Sequence, residues 1–454
     1  MVKLWEQEPV QWRVELLEGE GEALAQRMGD QPRQLCISIG KRGKLSAELL
    51  RRAAAKAVQT VRGFGAECAL LDAALAAEAL GAEGVSALAL GAELACYRRE
   101  RWKADDKEKT FTVYFAGAEG MEAAMMQTAV LAKHICFARN LVNCPANLLT
   151  PVDMAREVTE AAQRVGLEAQ VLGEDEARSL GMNAFLAVGG SALHTPRLIV
   201  LRWRGGRPDG PPIALVGKGV CCDTGGYCLK TPGGLKGTRG DMAGGAAVCG
   251  AILALAENRI PVNAVAVVPA VENRIAPDSY LPGDVIRSMS GKTIEVGNTD
   301  AEGRLILADA VTYAIVKEGA GKVVDIATLT GAVVQALGFT TAGLLTNDDG
   351  FCAQFLAAAG RCGEQYWRLP DFEEYRRMID SPVADLSNVS SDGCGAITAG
   401  LFIGAFAQDI PWIHLDIAGT AWVDRPRREY QAPGATGAGT AALYELCRGL
   451  SGAG

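Results

Sequence analysis

The chain has 454 residues, of which 49% are hydrophobic and 22% are charged. These proportions exclude an intrinsically disordered chain, because such a chain lacks the apolar surface that offsets the entropy of ordering. Lys and Arg total 45 against 53 Asp and Glu, which gives a net charge of −8. This acidic balance disfavours a dedicated nucleic-acid binder, whose surface is basic. At about 150 residues per domain, the length predicts more than one domain.

Cysteine and histidine usage limits the kinds of metal site and the compartment. The 13 cysteines are odd in number and form no C-x-x-C pair, so we expect a reducing compartment and no disulfide framework. The three histidines, His134, His194 and His414, are too far apart for an H-E-x-x-H zinc site. Any metal must therefore be held mainly by carboxylates. We also expect no signal peptide, no membrane partner and a cytoplasmic location.

The N-terminal part of the sequence has the pattern of a small α/β domain. Short apolar runs, typical of strands, alternate with Ala-rich stretches of helical periodicity. Predicted strands include 35–39 and 111–115, and one predicted helix spans 45–61. A glycine-containing break at 117–120 ends the alternation, so we expect this domain to comprise residues 1–118.

A long helix is predicted to join this domain to a larger one. Residues 121–142 have apolar side chains at helical spacing and contain neither Gly nor Pro. Pro145 ends the helix, because a proline disfavours the helical conformation of the residue before it. We therefore expect a second domain over 119–454, with the connecting helix at 119–143.

The second domain has the pattern of a mainly parallel α/β sheet. Continuous apolar runs typical of buried strands occur at 213–216, 264–268, 323–326 and 412–415. Helical stretches, notably 243–257 and 305–318, lie between these runs. Such a sheet is covered by helices on both faces and binds ligands beyond the carboxyl ends of its strands.

Two polar segments follow predicted strands of this sheet. The first contains Lys218, Asp223 and Lys230, and Asp241 follows eleven residues later. The second is N-T-D-A-E-G-R-L at 298–305, in which Asp300, Glu302 and Arg304 are two residues apart. In an extended turn, side chains at this spacing face one way. Carboxylates aimed together repel unless a cation lies between them. Four carboxylates with hard oxygen donors therefore predict one or two divalent metal ions.

These segments resemble those of the leucyl aminopeptidase family, the M17 metallopeptidases. The octapeptide at 298–305 and the spaced G-K-G-V, D-x-G-G, K and D-M-x-G-G-A-A pattern carry the resemblance. Shorter matches occur at 145–147, 328–331 and 435–437. The resemblance implies a dinuclear metal-dependent aminopeptidase that releases leucine-like or other N-terminal residues from peptides by attack of a metal-activated hydroxide. It makes residues 119–454 the catalytic domain and implies a homohexamer.

The resemblance also assigns roles to individual residues. One metal would be bound by Asp223, Asp300 and Glu302, and the other by Lys218, Asp223, Asp241 and Glu302. Either Mn²⁺ or Zn²⁺ suits these donors. A neutral lysine ligand requires a lowered pKa, which burial beside dications would supply.

The remaining roles concern the substrate and the base. Lys230 would bind the polarised carbonyl, and Arg304 would hold a bicarbonate ion that acts as base. Thr238, Thr328 and Gly331 would line the pocket for the first side chain. The family commonly has Met where this chain has Thr238, and Thr is shorter and more polar. We therefore expect a wider, more polar pocket and a weaker preference for leucine.

Several residues have a simpler structural interpretation. Cys221, Cys222 and Cys228 are interpreted as small residues near a strand end rather than a soft-metal site. His414, inside an apolar run, is interpreted as a structural histidine. The basic run at 98–103 is interpreted as a solvated face, although it suggests an alternative, a DNA-binding or scaffolding hexamer with incidental peptidase activity. The acidic balance opposes that alternative, so nucleic acid is not an expected partner.

Overall fold

A computed structural model describes residues 2–6, 9–18, 24–27, 32–99, 102, 110–390 and 392–451. The chain forms two compact units, one of Met1–Cys136 with Val423–Gly434, the other of Phe137–Trp422 with Ala435–Gly454. The division falls within the long helix, whereas the sequence places the boundary before it. The reason is that the first half of the helix has its contacts in the first unit. No feature of the sequence predicts that residues 423–434 belong to the first unit.

The first unit contains the predicted small α/β fold. Its elements are β1 (Val2–Leu4), β2 (Trp12–Leu17), β3 (Leu24–Arg27), β4 (Arg33–Ser38), α1 (Ala47–Gly63), β5 (Cys68–Asp72), α2 (Ala74–Cys96), β6 (Thr112–Ala116) and the start of α3 (Glu122–Asn143), with a 3₁₀ turn at Arg42–Lys44. The sheet order is β1-β6-β5-β2-β4-β3, and all neighbours are parallel except β3 and β4. Ser46 caps α1 by accepting the Leu49 amide. Of the basic run at 98–103, Glu100, Arg101 and Lys103 lie outside the described residues.

Two helical stretches are apolar and long enough to cross a bilayer by length and composition. They are Ala74–Cys96 in the first unit and Gly234–Glu257 in the second. The most apolar windows of these stretches are 56% and 83% buried inside the fold. Burial of this kind is the pattern of core helices, so the two stretches are weak evidence for a membrane span.

The second unit holds the larger sheet. Its first half comprises the end of α3, α4 (Pro151–Arg164), β7 (Glu168–Leu172), α5 (Glu174–Ser179), α6 (Asn183–Gly189), β8 (Arg197–Arg204), β9 (Ile213–Gly217), β10 (Gly219–Asp223), a 3₁₀ helix (Gly234–Met242), α7 (Ala243–Glu257), β11 (Asn263–Asn273), β12 (Val285–Arg287) and β13 (Thr293–Glu295). Its second half comprises α8 (Glu302–Val316), β14 (Lys322–Ala327), α9 (Gly331–Leu337), β15 (Thr341–Thr346), α10 (Asp349–Cys362), β16 (Gln365–Arg368), α11 (Glu373–Arg377), β17 (Leu386–Ser387), α12 (Gly395–Gly404), β18 (Trp412–Asp416) and α13 (Thr440–Ser451). The short strands β19 (Trp422–Val423) and β20 (Gly434–Ala435) lie at the division between the units.

The central strands of this sheet are parallel, as predicted. The order is β16-β15-β18-β14-β9-β11-β8-β7, with β10 beside β11. The strands β18, β14, β9 and β11 run parallel to one another, and β10 is parallel to β11. The antiparallel pairs are β15 with β18, β8 with β11 and β7 with β8. The chain is therefore an α/β protein. The central strands of its larger sheet, including those that precede the polar segments, are parallel.

Helices cover the central strands. The helices α4, α7 and α13 pack together, as do α6, α8 and α12, and both α7 and α8 pack on β9, β11 and β14. Every residue of β9 is buried, which explains its continuous apolar sequence. Gly244, near the start of α7, permits close packing, because a Cβ there would lie 2.0 Å from the Ile326 carbonyl oxygen. The first turn of α7 therefore rests directly against β14.

A buried polar cluster lies in the core beside these strands. The His414 Nδ1 contacts an Asp325 carboxylate oxygen, and the Trp412 indole donates to the other at 2.7 Å. Burial alone would lower the pKa of His414, but the Asp325 carboxylate outweighs it and raises that pKa. His414 is fully buried and paired with Asp325 through Nδ1, but its Nε2 has no hydrogen-bond partner, so its structural role stays a prediction. All 13 cysteines are free thiols, and Cys221 and Cys222 are buried in β10.

Candidate metal centre

The side chains of the two polar segments meet at the carboxyl edge of the parallel strands. Lys218 directly follows β9, and Asp223 is the last residue of β10. Asp241 lies in the 3₁₀ helix that precedes α7, and Glu302 is the first residue of α8. Parallel strands end at the same edge, so residues far apart in sequence converge there.

Lys218 lies at the centre of one half of the cluster. Its Nζ is 2.7 Å from Asp241 Oδ2 and 2.9 Å from Glu302 Oε1. It also donates to the Thr328 carbonyl at 3.1 Å. The approach depends on Gly303, because a Cβ at that position would lie 2.8 Å from the Lys218 Nζ. The glycine of the octapeptide thus makes room for the lysine of the first segment.

Lys230 occupies the corresponding place in the other half. Its Nζ is 2.6 Å from Asp223 Oδ2 and also contacts Asp300 Oδ1. Asp223, Asp300 and Glu302 each offer a carboxylate oxygen, and these oxygens all lie within 4.8 Å of one another. The structure therefore brings together all five predicted metal ligands and Lys230. Asp300 is exposed, whereas Asp223, Glu302 and Lys218 are buried.

This donor set fits divalent metal ions. Hard carboxylate oxygens suit Mg²⁺, Mn²⁺ or Zn²⁺. Glu302 is 1% exposed, and its Oε2 is buried without a hydrogen-bond partner. An unpartnered buried carboxylate oxygen costs free energy that a coordinated cation would offset.

The electrostatics of the carboxylates lead to the same conclusion. Burial raises the pKa of Glu302, the Asp223 charge adds to the increase, and Lys218 opposes it. Burial likewise raises the pKa of Asp241 and of Asp300, against the lowering by Lys218 and Lys230 respectively. Ionisation of these buried carboxyl groups therefore costs free energy, and nearby positive charge lowers that cost.

The two lysines supply positive charge in the structure itself. Burial would lower the pKa of Lys218, but the Asp241, Glu302 and Asp223 carboxylates outweigh it and raise that pKa. The pKa of Lys230 is likewise raised, as the Asp223 and Asp300 carboxylates exceed the effect of burial. A lowered pKa for Lys218, as expected of a metal ligand, therefore requires the field of bound cations.

The geometry of the octapeptide differs from the sequence-based expectation. Helix α8 begins at Glu302 and not at residue 305, so Glu302 and Arg304 lie in its first turn and not in an extended turn. Residues two apart on a helix point in different directions. Glu302 accordingly faces Lys218, while Arg304 Nη1 donates to the Asn388 carbonyl at 2.6 Å. The expectation that the three side chains face one way was therefore wrong for Arg304, while the Asp300 and Glu302 carboxylates do converge.

Arg304 is a buried cation in this turn. It is 7% exposed, and its Nε is buried without a hydrogen-bond partner. Burial lowers its pKa to about 10, against the Glu302 and Asp416 carboxylates, which raise it. A partly unsatisfied guanidinium near a helix N-terminus has the chemistry of an anion site.

The three predicted pocket residues lie in different surroundings. Thr328 follows β14, and its hydroxyl donates to Asp241 Oδ1 at 2.8 Å. Thr238 is half-buried in the 3₁₀ helix. Burial raises the pKa of the Cys222 thiol in β10, and the Thr238 side chain opposes that increase. Gly331 is exposed at the start of α9, with open space where a Cβ would lie. The structure thus links Thr328, but not Gly331, to the metal cluster.

Sequence reasoning missed the amide and hydroxyl side chains behind the cluster. Asn273, the last residue of β11, donates to Asp223 Oδ1 at 2.9 Å and to the Thr299 carbonyl at 3.0 Å. Tyr280 donates to the same Thr299 carbonyl at 2.8 Å. Asn388 contacts both the octapeptide backbone and Arg304. Asn273 could have been found from the sequence, because it ends a long apolar strand. Tyr280 and Asn388 lie in segments without a motif.

Comparison with known proteins places this site in a family. The profile of the "Cytosol aminopeptidase family, catalytic domain" matches residues 136–444, and that of its N-terminal domain matches residues 26–106. A "Probable cytosol aminopeptidase" of Clostridium perfringens is 43% identical over 422 residues, 91% of this chain and 85% of that protein. One from Alkaliphilus oremlandii is 41% identical over 429 residues, covering 92% and 85%.

A solved structure agrees with these matches. The "Bottromycin maturation enzyme BotP in complex with Mn" superimposes with a TM-score of 0.90 at 33% identity, covering 97% of this chain and 100% of that one. The fold is that of the cytosol aminopeptidase family, a metal-dependent family of peptide hydrolases. The chain belongs to the cytosol aminopeptidase family, and it is therefore an aminopeptidase, a hydrolase that acts on peptide bonds.

Proposed function

We propose that the chain is a dinuclear metal-dependent aminopeptidase that releases leucine-like and more polar N-terminal residues from peptides. The observation that carries the proposal is the convergence of Asp223, Asp300 and Glu302 within 4.8 Å, with Lys218 against Asp241 and Glu302. One ion would be held by Asp223, Asp300 and Glu302. The other ion would be held by Lys218 and Asp241 together with Asp223 and Glu302. Asp223 and Glu302 would thus be ligands of both ions.

The bound ions would supply Lewis-acid polarisation of the scissile carbonyl and a water of lowered pKa. The residues around them would orient the peptide. Lys230, 24% exposed at its side chain, is the cation of the cluster that solvent reaches, and it would donate to the developing oxyanion. Mn²⁺ is supported by the solved relative in complex with Mn, and Zn²⁺ by the same donor chemistry. The names of the relatives support a cytoplasmic location.

The activity is tested by release of p-nitroaniline from leucyl-p-nitroanilide by the purified full chain, with a peptide blocked at its N-terminus as control. Hydrolysis of the free substrate and none of the blocked one is expected. A gel-shift at physiological salt tests the alternative of a DNA-binding or scaffolding hexamer, which the net charge of −8 disfavours. The homohexamer is a further part of the proposal, and light scattering measures it directly.

Arg304→Ala is expected to slow turnover while leaving the metal content of the protein unchanged. Arg304 donates to the Asn388 carbonyl, and burial lowers its pKa only to about 10, so it remains cationic at neutral pH. We propose that it holds a bicarbonate ion that acts as general base, a role worth about 10²–10⁴-fold. Added bicarbonate should accelerate the wild type and have little effect on the variant. Equal acceleration of both proteins contradicts the bicarbonate role.

Thr238→Met is expected to shift substrate preference toward leucine. Thr238 is half-buried in the 3₁₀ helix, and a Met would replace its short polar side chain by a longer apolar one. One methylene of fit in an apolar pocket is worth about 1–3 kcal/mol, so the ratio of kcat/KM for leucine over serine substrates should rise by about tenfold. A panel of aminoacyl-p-nitroanilides measures the ratio. Strong leucine preference in the wild type that does not change in the variant would exclude Thr238 from the pocket.

A further inference from the structure

Asn388 is a fully buried residue whose side chain holds the loop that carries Asp300. Its exposed fraction is 0%, and it directly follows β17. Its Oδ1 accepts the Gly297 amide at 2.8 Å and the Asn298 amide at 3.3 Å. Its Nδ2 donates to the Asn298 carbonyl at 2.8 Å and to the Ala301 carbonyl at 3.4 Å. The amide therefore clamps the backbone on both sides of Asp300.

The backbone of the same residue holds Arg304. The Asn388 carbonyl accepts the Arg304 Nη1 at 2.6 Å in a buried environment. A charge-assisted hydrogen bond of this kind, shielded from water, is stronger than a neutral one. Asn388 thus contacts the proposed metal-binding loop through its side chain and the proposed anion-binding guanidinium through its carbonyl.

The small sheet at this side of the unit sets the position of Asn388 relative to the loop. Strand β17 pairs in parallel with β13, with Leu386 opposite Ile294 and Ser387 opposite Glu295. The Asn388 amide continues this ladder by donating to the Glu295 carbonyl at 3.0 Å. Because β13 leads into the octapeptide loop, the pairing places Asn388 beside that loop.

We propose that Asn388 is a positioning residue that couples the Asp300 loop to Arg304, so that metal binding and the guanidinium are aligned together. The inference rests on the proposed function for its catalytic consequence. The amide supplies two donors and an acceptor here, whereas Asp lacks the donors and Ala lacks both. Both variants keep the carbonyl that accepts Arg304 but lose side-chain bonds that fix this carbonyl relative to the loop. Outer residues of metal sites typically affect affinity or activity by about 10–100-fold, which sets the size of the expected effects.

The experiment compares four variants of the full chain: Asn388→Ala, Asn388→Asp, Tyr280→Phe and Asn347→Ala. Tyr280→Phe loses a bond to the same loop, at Thr299, without touching Arg304. Asn347→Ala is the control, because its side chain bridges the Trp412 amide and the Ile410 carbonyl, outside the metal cluster. Mn²⁺ binding is measured by titration calorimetry, and kcat and KM are measured with leucyl-p-nitroanilide.

Asn388→Ala is expected to weaken Mn²⁺ binding about 10–100-fold and to lower kcat with little change in KM. Tyr280→Phe should weaken Mn²⁺ binding, but its effect on kcat at saturating Mn²⁺ should be small. Asn347→Ala should leave Mn²⁺ affinity and kcat unchanged. Asn388→Asp keeps the acceptors and the shape, and it replaces Asn388→Ala in every comparison if the Ala variant does not fold.

A double-mutant cycle with Arg304→Ala tests the coupling. If Asn388 acts through Arg304, the loss of kcat from Asn388→Ala should shrink by about tenfold in the Arg304→Ala background, and independent, multiplicative losses overturn the inference. A lowered melting temperature with wild-type Mn²⁺ affinity and kcat would also overturn it and indicate a purely structural role. If the wild type hydrolyses no leucyl substrate, the proposed function fails. The Mn²⁺ affinities then decide the inference, and wild-type affinity in Asn388→Ala overturns it.

Discussion

Removal of divalent metal by a chelator is expected to abolish peptide hydrolysis by this protein, and restoration of Mn²⁺ or Zn²⁺ is expected to recover it. The cluster of Asp223, Asp300 and Glu302 provides oxygen donors within 4.8 Å of one another, with a buried and unpartnered Glu302 oxygen among them. The ammonium groups of Lys218 and Lys230 lie within ion-pair distance of Glu302 and Asp223. An ammonium cannot polarise a carbonyl as a divalent ion does.

The measurement is leucyl-p-nitroanilide hydrolysis by dialysed protein whose metal content is determined by elemental analysis. Single metals are then added back, with Ca²⁺ as a comparison, because Ca²⁺ prefers more oxygen ligands at longer distances. Thermal unfolding supplies an independent readout, since an ion that binds only the folded state raises the melting temperature. Full activity in metal-free protein would refute the proposed mechanism.

Glu302→Gln and Asp300→Asn are expected to lower kcat/KM by at least about 10³-fold, which corresponds to about 4 kcal/mol of transition-state stabilisation. Each substitution keeps the shape of the side chain and removes a charge that neutralises a dication. In metal-free protein the effect on stability should be small. Burial raises the pKa of both carboxyl groups, so their ionised forms are costly at neutral pH, and their loss also removes a partner of Lys218 or Lys230.

The test compares each variant in the presence and in the absence of Mn²⁺. Melting temperatures are compared with and without Mn²⁺ for wild type and variants, together with kinetics. The wild type should gain stability from Mn²⁺, while both variants should gain less at the same concentration. A matched control is Glu295→Gln, whose carboxylate accepts the Ser381 hydroxyl and does not contact the cluster. Variants with wild-type kinetics would show that neither carboxylate is a ligand.

The sequence alone was sufficient to predict that lysines and carboxylates cluster at one edge of the larger sheet. Lys218, Asp223 and Lys230 lie in one short segment and Asp300, Glu302 and Arg304 in another, and both segments follow runs typical of buried strands. Parallel strands end at one edge of a sheet, so the convergence of the two lysines with Asp223, Asp300 and Glu302 followed from the pattern, whereas the direction of Arg304 did not. The α/β class followed from the alternation of buried strands and helices. These features are local, and short-range periodicity and spacing encode them.

The tertiary structure decided how each side chain points and what holds it. Helix α8 starts three residues earlier than periodicity predicts, because helix ends depend on the partners of the first amides and carbonyls rather than on hydrophobic spacing. Gly303 admits Lys218, and Asn388 reaches the octapeptide loop from about 90 residues away, as the residue separation of their hydrogen bonds shows. Residues 423–434 belong to the first unit although the chain around them belongs to the second. These contacts join segments distant in sequence, so only the packed fold determines them.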